Sequence, residues 1–401
     1  MASLKLISLF AIILILTKVR VKIGFAIALG AVIGGFMFGM ESISLLHSIW
    51  DGVKAAETWE LLIILISVSF LGSLLKESGR ALSLTDAVES LLRSKRASMV
   101  ILPALIGLLP MPGGALLSAP LIDEVGNRTD IEPTRLAAIN YWFRHMLEYV
   151  WPLYLGIILA SSILEIKVGK IISAQWPMSV GMLIGGILFL LVPLGKLAYK
   201  NGDRGVLLNI KTLILNFWPI LSAVVLSLVF GVVLYISISI SLILFILVSR
   251  FPKSVVLTGV KEATTVEYIS FVFAVMIFKQ VLIDSCAADL VAVEIISAGI
   301  NPIWVVIFIP FMIGLISGST PAFVSLAYPA LLPFIKPDEV NILLMATAYC
   351  AGFLGVLLSP LHFCLVLTAE YFKAPLGRVY IYLIGPLAFM VLGLLLKFIV
   401  P

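Results

Sequence analysis

The chain has 401 residues, 61% of them hydrophobic and only 12% charged, with a mean hydropathy of +1.17. That is too little charge to cover a soluble domain of this length, and apolar runs recur from end to end, which points to a polytopic helical membrane protein. The net charge of +5 fits basic cytoplasmic loops and calls for no nucleic-acid partner.

In chain order, residues 3–17, 23–39 and 59–75 are expected as membrane helices and 82–94 as a surface helix. The positive cluster Lys18, Arg20 and Lys22 follows the first apolar run instead of preceding it, so that run does not read as a cleavable signal. Residues 98–122 are apolar but broken at Pro110-Met111-Pro112-Gly113-Gly114, where proline removes a backbone donor and glycine loosens the chain. Residues 133–166 form a long segment interrupted at Trp151-Pro152, and 171–193 form the next helix. The run from Thr212 to Val248 must hold two helices with a tight turn near 226–230. A second broken segment, 302–335, centres on Ser317-Gly318-Ser319-Thr320-Pro321, and a second interrupted one, 338–372, on Ser359-Pro360.

The order of segments repeats because the sequence does. Gly107 lies 207 residues before Gly314, and Glu60 the same distance before Glu267. Further along the offset is 208, pairing Gly169-Lys170 with Gly377-Arg378 and Gly185 with Gly393, a small-residue pair suited to close helix packing. Matched Pro, Gly and Glu in one register mark an internal duplication, with repeats at 1–207 and 208–401. Charge then orients the repeats. If both broken segments cross the membrane, the 26 Lys and Arg outside Arg144 split 13 to 13 between the two sides; if both are re-entrant hairpins, they split 19 to 7. The positive-inside rule selects the second arrangement. The expected fold is therefore all-α, with two inverted repeats of five transmembrane helices, each carrying a re-entrant hairpin (98–122, 302–335) and an interrupted helix (133–166, 338–372), and with both termini outside the plasma membrane.

Non-helical backbone at membrane depth is tolerated only where protein buries it or where it lines a cavity, and paired breaks in inverted halves are the plan of a secondary transporter. The first interrupted helix carries Asn140, Arg144, His145 and Glu148. An arginine at mid-membrane costs about 2.5–3.5 kcal/mol on insertion scales, which argues for a role as counter-charge to an anion. At the 208 offset Arg144, His145 and Glu148 meet Gly352, Phe353 and Val356, so the cluster belongs to one half only. The candidate substrate residues are Asn140, Arg144, His145, Gly113, Gly114, Ser317, Ser319, Thr320, Ser359 and His362; the candidate ion-coupling residues are Glu148, His145 and Thr347. The hydroxyls of Ser317, Ser319 and Thr320 suit a sodium ion, whereas Glu148 and His145 suit protons. Neither a nucleophile–base set nor a P-loop is legible, so an enzyme is not expected.

The phrases LLPMPGGALLS, LISGSTPAFVS, VWPLYLG and LSPLHFC resemble the ion transporter superfamily of dicarboxylate, citrate, gluconate and lactate carriers. MPGGALLSAPLIDEVGNR and SPLHFCLVLTAEYF resemble an uncharacterised bacterial and archaeal integral-membrane family placed near it. The resemblance implies a homodimer with an elevator-like transport domain and no cofactor beyond a sodium ion. The chain departs from the Ser-Asn-Thr hairpin signature of the sodium-coupled dicarboxylate carriers. The resulting expectation is a transporter of a small organic anion, coupled to protons or sodium; a cation–proton antiporter and a translocase of lipid-linked phosphate are the alternatives.

Overall fold

The computed structural model describes residues 1–92, 94–108, 115–127, 131–194 and 206–399. Among these residues every regular element is a helix. The first ten are α1 (Ala2–Lys18), α2 (Ile23–Met37), α3 (Ser42–Lys54), α4 (Ala56–Glu77), α5 (Arg80–Leu91), α6 (Lys95–Leu108), α7 (Ala115–Asn127), α8 (Pro133–His145), α9 (Leu155–Leu164) and α10 (Val168–Gly186). A wide turn at Ile187–Leu191 and a tight one at Val192–Leu194 extend α10. The next ten are α11 (Val206–Leu228), α12 (Leu234–Ser249), α13 (Lys253–Ala263), α14 (Val266–Asp284), α15 (Ala287–Ser297), α16 (Pro302–Ser317), α17 (Thr320–Ile335), α18 (Ile342–Leu358), α19 (Phe363–Tyr371) and α20 (Leu376–Ile399).

Six stretches among the described residues are long and apolar enough to cross a bilayer: Ala56–Glu77, Val168–Leu194, Asn209–Leu228, Lys253–Asp284, Ile342–Tyr371 and Leu376–Ile399. Large apolar side chains such as Ile214, Ile381 and Ile384 are exposed on them, a surface that only lipid or another apolar face can cover. The chain is an all-α, polytopic membrane protein.

Local chemistry accounts for the ends of these helices. Asn301 and Asn341 cap α16 and α18 by accepting main-chain N–H bonds, and Pro302 and Pro133 stand where a helix start needs no donor. The turn expected near 226–230 falls between α11 and α12. The surface helix expected over 82–94 is α5. Both interrupted segments contain their proline within the break: Pro152 lies between α8, which already ends at His145, and α9, and Pro360 lies just past the end of α18, before α19. The centre of the first broken segment, Pro110 to Gly114, lies outside the described residues. The second is a pair of packed helices, α16 and α17, joined at Gly318-Ser319. The short helices α3 and α13 were not anticipated, because each mixes polar and apolar residues and merges with the membrane run that follows it.

Backbone conformation repeats where side chains do not. Left-handed residues occur in pairs at corresponding loop positions: Arg20 with Gly231, Gly39 with Arg250, Gly79 with Cys286, and Glu165 with Lys373. Arg250, Cys286, Glu165 and Lys373 hold φ of 46°, 51°, 58° and 51° without glycine's freedom, a cost accepted only where the surrounding fold imposes the turn.

The residues group into two compact units. Unit 1 comprises Met1–Ile66, Leu155–Ala174 and Thr264–His362. In it α2 and α3 pack on α14, α1 on α15, α9 on α17, and α16 on α18. Glu165, at the end of α9, receives Lys279 of α14 at 2.7 Å and Lys336 of α17 at 2.8 Å. Burial disfavours its charge, but the two lysines outweigh that and hold its pKa below the usual carboxylate value. Unit 2 comprises Ser67–Tyr154, Gln175–Ala263 and Phe363–Pro401. In it α5 packs on α11, α7 on α19, α6 on α8, and α8 on α20. The Arg80 guanidinium lies over the rings of Phe245 and Phe251 and donates to the Leu215 carbonyl at 3.1 Å. Helices α10 and α20 meet through glycine: a Cβ on Gly181 would lie 2.2 Å from the Phe389 carbonyl oxygen, one on Gly185 2.9 Å from the Pro386 Cα, and one on Gly393 2.4 Å from the Pro177 carbonyl oxygen. As one number rises the other falls, so the two helices run antiparallel. Gly185 and Gly393 thus serve the close packing expected of them.

Candidate functional site

Helix α8 of unit 2 carries ionisable groups in a fully buried stretch. From Leu136 to His145 each side chain is buried, including Asn140 and the guanidinium-bearing Arg144. Close approach of α6 explains the tightness: a Cβ on Gly107 would lie 2.2 Å from the Arg144 carbonyl oxygen. Tyr154, beyond the break, donates to the Gly107 carbonyl at 2.7 Å and ties the far side of the break to α6.

Within this frame the polar groups have distinct surroundings. Asn140 donates to the Thr368 hydroxyl of α19 at 3.2 Å. His145 Nδ1 lies 2.6 Å from the Tyr141 carbonyl. A carbonyl only accepts, so Nδ1 carries the hydrogen and Nε2 is left as the basic nitrogen. That Nε2 lies 3.8 Å from Glu148 Oε1. Cys364 Sγ is within 4.8 Å of a His145 ring nitrogen. Arg144 is 8% exposed, and its Nε has no hydrogen-bond partner among the described residues. The four-residue spacing suggests an Arg144–Glu148 ion pair; the contact described for Glu148 is the one to His145, an ion pair only when that imidazole is protonated.

The second tip belongs to unit 1. Gly318 holds φ of 63°, and a Cβ there would strike the His362 backbone nitrogen at 2.7 Å, so glycine is required twice over. Ser319 caps α17 by accepting from Ala322 N, and Ser317 Oγ accepts from Ser319 N. Thr320 is buried at the first position of α17. His362 Nδ1 lies 2.8 Å from the Gly318 carbonyl. Ser359 Oγ accepts from Leu361 N, and Thr347 donates to the Leu343 carbonyl at 2.8 Å. The expected residues of this tip thus gather around one turn, and Ser317, Ser319 and Ser359 each already hold a main-chain N–H. Gly113 and Gly114 of the first tip lie outside the described residues.

The register of the two interrupted helices is matched at atomic detail. Gly314 meets the Gly352 carbonyl oxygen at the same 2.2 Å from its virtual Cβ as Gly107 meets that of Arg144. Where α8 carries Arg144, α18 carries Gly352 under the Phe323 ring, 2.4 Å from a Cβ built there. Phe353 and Val356 are fully buried at the positions matching His145, the last residue of α8, and Glu148, in the turn after it.

Two polar groups that the sequence reading passed over stand out in unit 2. Gln175 is fully buried and Ser179 is 8% exposed, and the amide oxygen, amide nitrogen and hydroxyl have no partner among the described residues. The 208 offset could have flagged them, since it pairs them with Leu383 and Leu387.

No curated protein matches the chain. A family described as a protein of unknown function, DUF401, matches residues 2–400, and the chain belongs to that family.

Proposed function

We propose that this member of an uncharacterised membrane family is a secondary active transporter of a small organic anion, working by elevator-like alternating access and built from inverted repeats at 1–207 and 208–401. The observation that carries the anion reading is Arg144: a buried guanidinium on an interrupted membrane helix, its Nε without a hydrogen-bond partner among the described residues. Burying a cation with part of its hydrogen-bonding capacity unmet among the described residues is costly, and a bound carboxylate or phosphate would offset that cost. His145 Nε2, facing Glu148, favours protons as the coupling ion.

The contacts support inversion. If the broken segments crossed the membrane, five polar contacts would join groups on opposite sides of a core about 30 Å thick. These are Lys22–Glu267 at 3.2 Å, Lys76–Glu262 at 3.5 Å, Arg80–Leu215 at 3.1 Å, Tyr371–Asp123 at 3.4 Å and Tyr382–Glu132 at 2.8 Å. With re-entrant hairpins, every one joins groups on the same side. At about 24 Å each, α16 and α17 are short for a crossing. The corresponding helices α10 and α20 run antiparallel, as inverted repeats demand. Contacts also exchange between halves: α1 meets α15 while α11 meets α5, and α9 meets α17 while α19 meets α7. A two-fold relation produces that exchange; a simple tandem repeat does not.

Uptake into proteoliposomes of succinate, citrate, lactate, gluconate and inorganic phosphate tests the function. Arg144→Ala should abolish uptake of whichever anion the wild type carries, and undiminished uptake would refute the counter-charge role. Labelling of single cysteines in a background lacking Cys286, Cys350 and Cys364 tests the topology: Arg20→Cys, Glu132→Cys and Tyr382→Cys should react from one side, and Lys167→Cys from the other.

A further inference from the structure

We infer that Gln175 and Ser179 form a second polar subsite, one that takes a neutral hydroxyl of the transported anion. The inference rests on the reading of Arg144 as the anion's counter-charge. The two residues are four apart on α10 and so share a face. That face continues through Met182, whose carbonyl accepts from Trp142 Nε1 at 2.8 Å, and Gly186, against which Trp142 and Phe143 pack. The stripe 175, 179, 182, 186 is therefore the side of α10 turned toward α8. Met390 of α20 links the same regions, touching the Tyr149 hydroxyl at 3.3 Å and lying 3.3 Å from a Cβ built on Gly181.

The fold does not need polarity at these positions. The corresponding residues of α20, Leu383 and Leu387, are buried and apolar, and a buried amide or hydroxyl left without a partner is costly. An amide and a hydroxyl together offer donors and acceptors but no charge. Their complement is a group that also donates and accepts, and a ligand hydroxyl is the simplest such group. A carboxylate, which only accepts, would leave the Gln175 oxygen unsatisfied. The subsite therefore assigns the substrate to the hydroxylated acids, with the carboxylate at Arg144 and a hydroxyl at Gln175 and Ser179. A site built this way discriminates strongly against the analogue lacking the hydroxyl, because its own polar groups are then stranded.

Matched pairs of acids differing by one hydroxyl provide the test: malate against succinate, and lactate against propionate. Binding is read as the shift in melting temperature of the detergent-solubilised full chain, titrated to give Kd. Wild type should favour the hydroxylated member of at least one pair by about tenfold or more in Kd. Gln175→Leu, which installs the residue α20 uses, and the milder Ser179→Ala should each erase that preference while the non-hydroxylated acid still binds. If both variants keep the preference, or wild type shows none, the hydroxyl subsite is wrong and the anion reading stands. If none of the four acids shifts wild type, or if Arg144→Gln shifts as wild type does, the anion reading fails and the subsite falls with it.

Discussion

Helices α8 and α18 hold matched places in the two units, and the difference between them separates what the fold needs from what it does not. Each is laid against a partner through a glycine whose virtual Cβ falls 2.2 Å from a carbonyl oxygen, at Arg144 in one and Gly352 in the other. Each ends at a proline-bearing break. Yet α18 completes its face with Gly352, Phe353 and Val356, closed over by Phe323, whereas α8 ends in Arg144 and His145, with Glu148 in the turn that follows. The contrast extends beyond one helix. Arg144 Nε, Trp151 Nε1, the Gln175 amide and the Ser179 hydroxyl, all buried without a partner among the described residues, belong to unit 2. A cavity of unit 1, about 510 Å³, is lined by apolar groups such as Leu6, Phe10, Ile295 and Trp304. The face of α18 at Gly352, Phe353 and Val356 is thus apolar where the matching stretch of unit 2 is polar, and the second is where a polar ligand has something to complete.

The most disruptive way to probe this comparison is to attack what the copies share. Gly107→Ala and Gly314→Ala each place a methyl against a carbonyl that cannot move without its helix. Each should destabilise by about 3 kcal/mol, the upper part of the usual overpacking range. Thermal unfolding of the two purified variants should give nearly equal losses. A large loss in one and none in the other would break the equivalence of the two frames.

The next probe separates them. Arg144→Gln should lower anion uptake by about tenfold to a hundredfold, the scale of a lost charged hydrogen bond. It should leave the melting temperature unchanged or raised, because it replaces a buried charge whose Nε has no hydrogen-bond partner among the described residues with a neutral amide. A fall in both stability and uptake would instead make Arg144 a support of the fold, and α8 would lose its distinction from α18.

Much of this contrast was legible in the sequence. The offsets of 207 and 208 paired the glycines, the breaks and the ionisable cluster with its apolar counterparts, since each depends on residue type at a register. The hydrogen-bond partners were not legible. Four-residue spacing brings Arg144 beside Glu148, but His145 faces that carboxylate, because rotamers and the turn after His145 decide the pairing. The hydroxyls of Ser317, Ser319 and Ser359 read equally well as ion ligands or caps, and only the backbone around Gly318 reveals the N–H groups they accept from. Gln175 and Ser179 sit in a run where no single residue looks exceptional; it takes their burial, set beside Leu383 and Leu387, to make them so.

A smaller effect is expected where the copies diverge in charge on a conserved turn. Glu165 and Lys373 share a left-handed conformation at corresponding positions, but only Glu165 bridges two lysines. Glu165→Gln should cost about 1–2 kcal/mol, well under the value for a fully buried pair, because Glu165 is half-exposed and Lys336 is partly solvated. Lys373→Gln should cost about nothing. If the two changes cost the same, the ion triad contributes no stability specific to unit 1.

The smallest expected effect lies at the entrance to α8, and its sign follows from linkage. Glu132, just before α8, accepts from the Tyr382 hydroxyl of α20 at 2.8 Å. The hydrogen bonds from Tyr382 and Thr134 lower its pKa against a weaker opposing effect of burial, and Arg378 and Arg135 add to the lowering. A carboxylate whose folded-state pKa lies below its unfolded value contributes stability at pH above the unfolded value of 4.5, and loses it as pH falls through the folded value. The group is nearly fully solvated, so the contribution is about 0.3–0.5 kcal/mol. Glu132→Gln should therefore lower the melting temperature slightly at pH 7 and by a shrinking amount as the pH is taken below about 4. Val340 stands at the corresponding position before α18, where no carboxylate exists to titrate. An acid-dependent loss that survives Glu132→Gln in full would point to Glu165 or Glu294, whose lowered pKa values give the same sign, and the double variant Glu132→Gln/Glu165→Gln would assign it to Glu165 if the pH dependence flattens and to Glu294 if it does not.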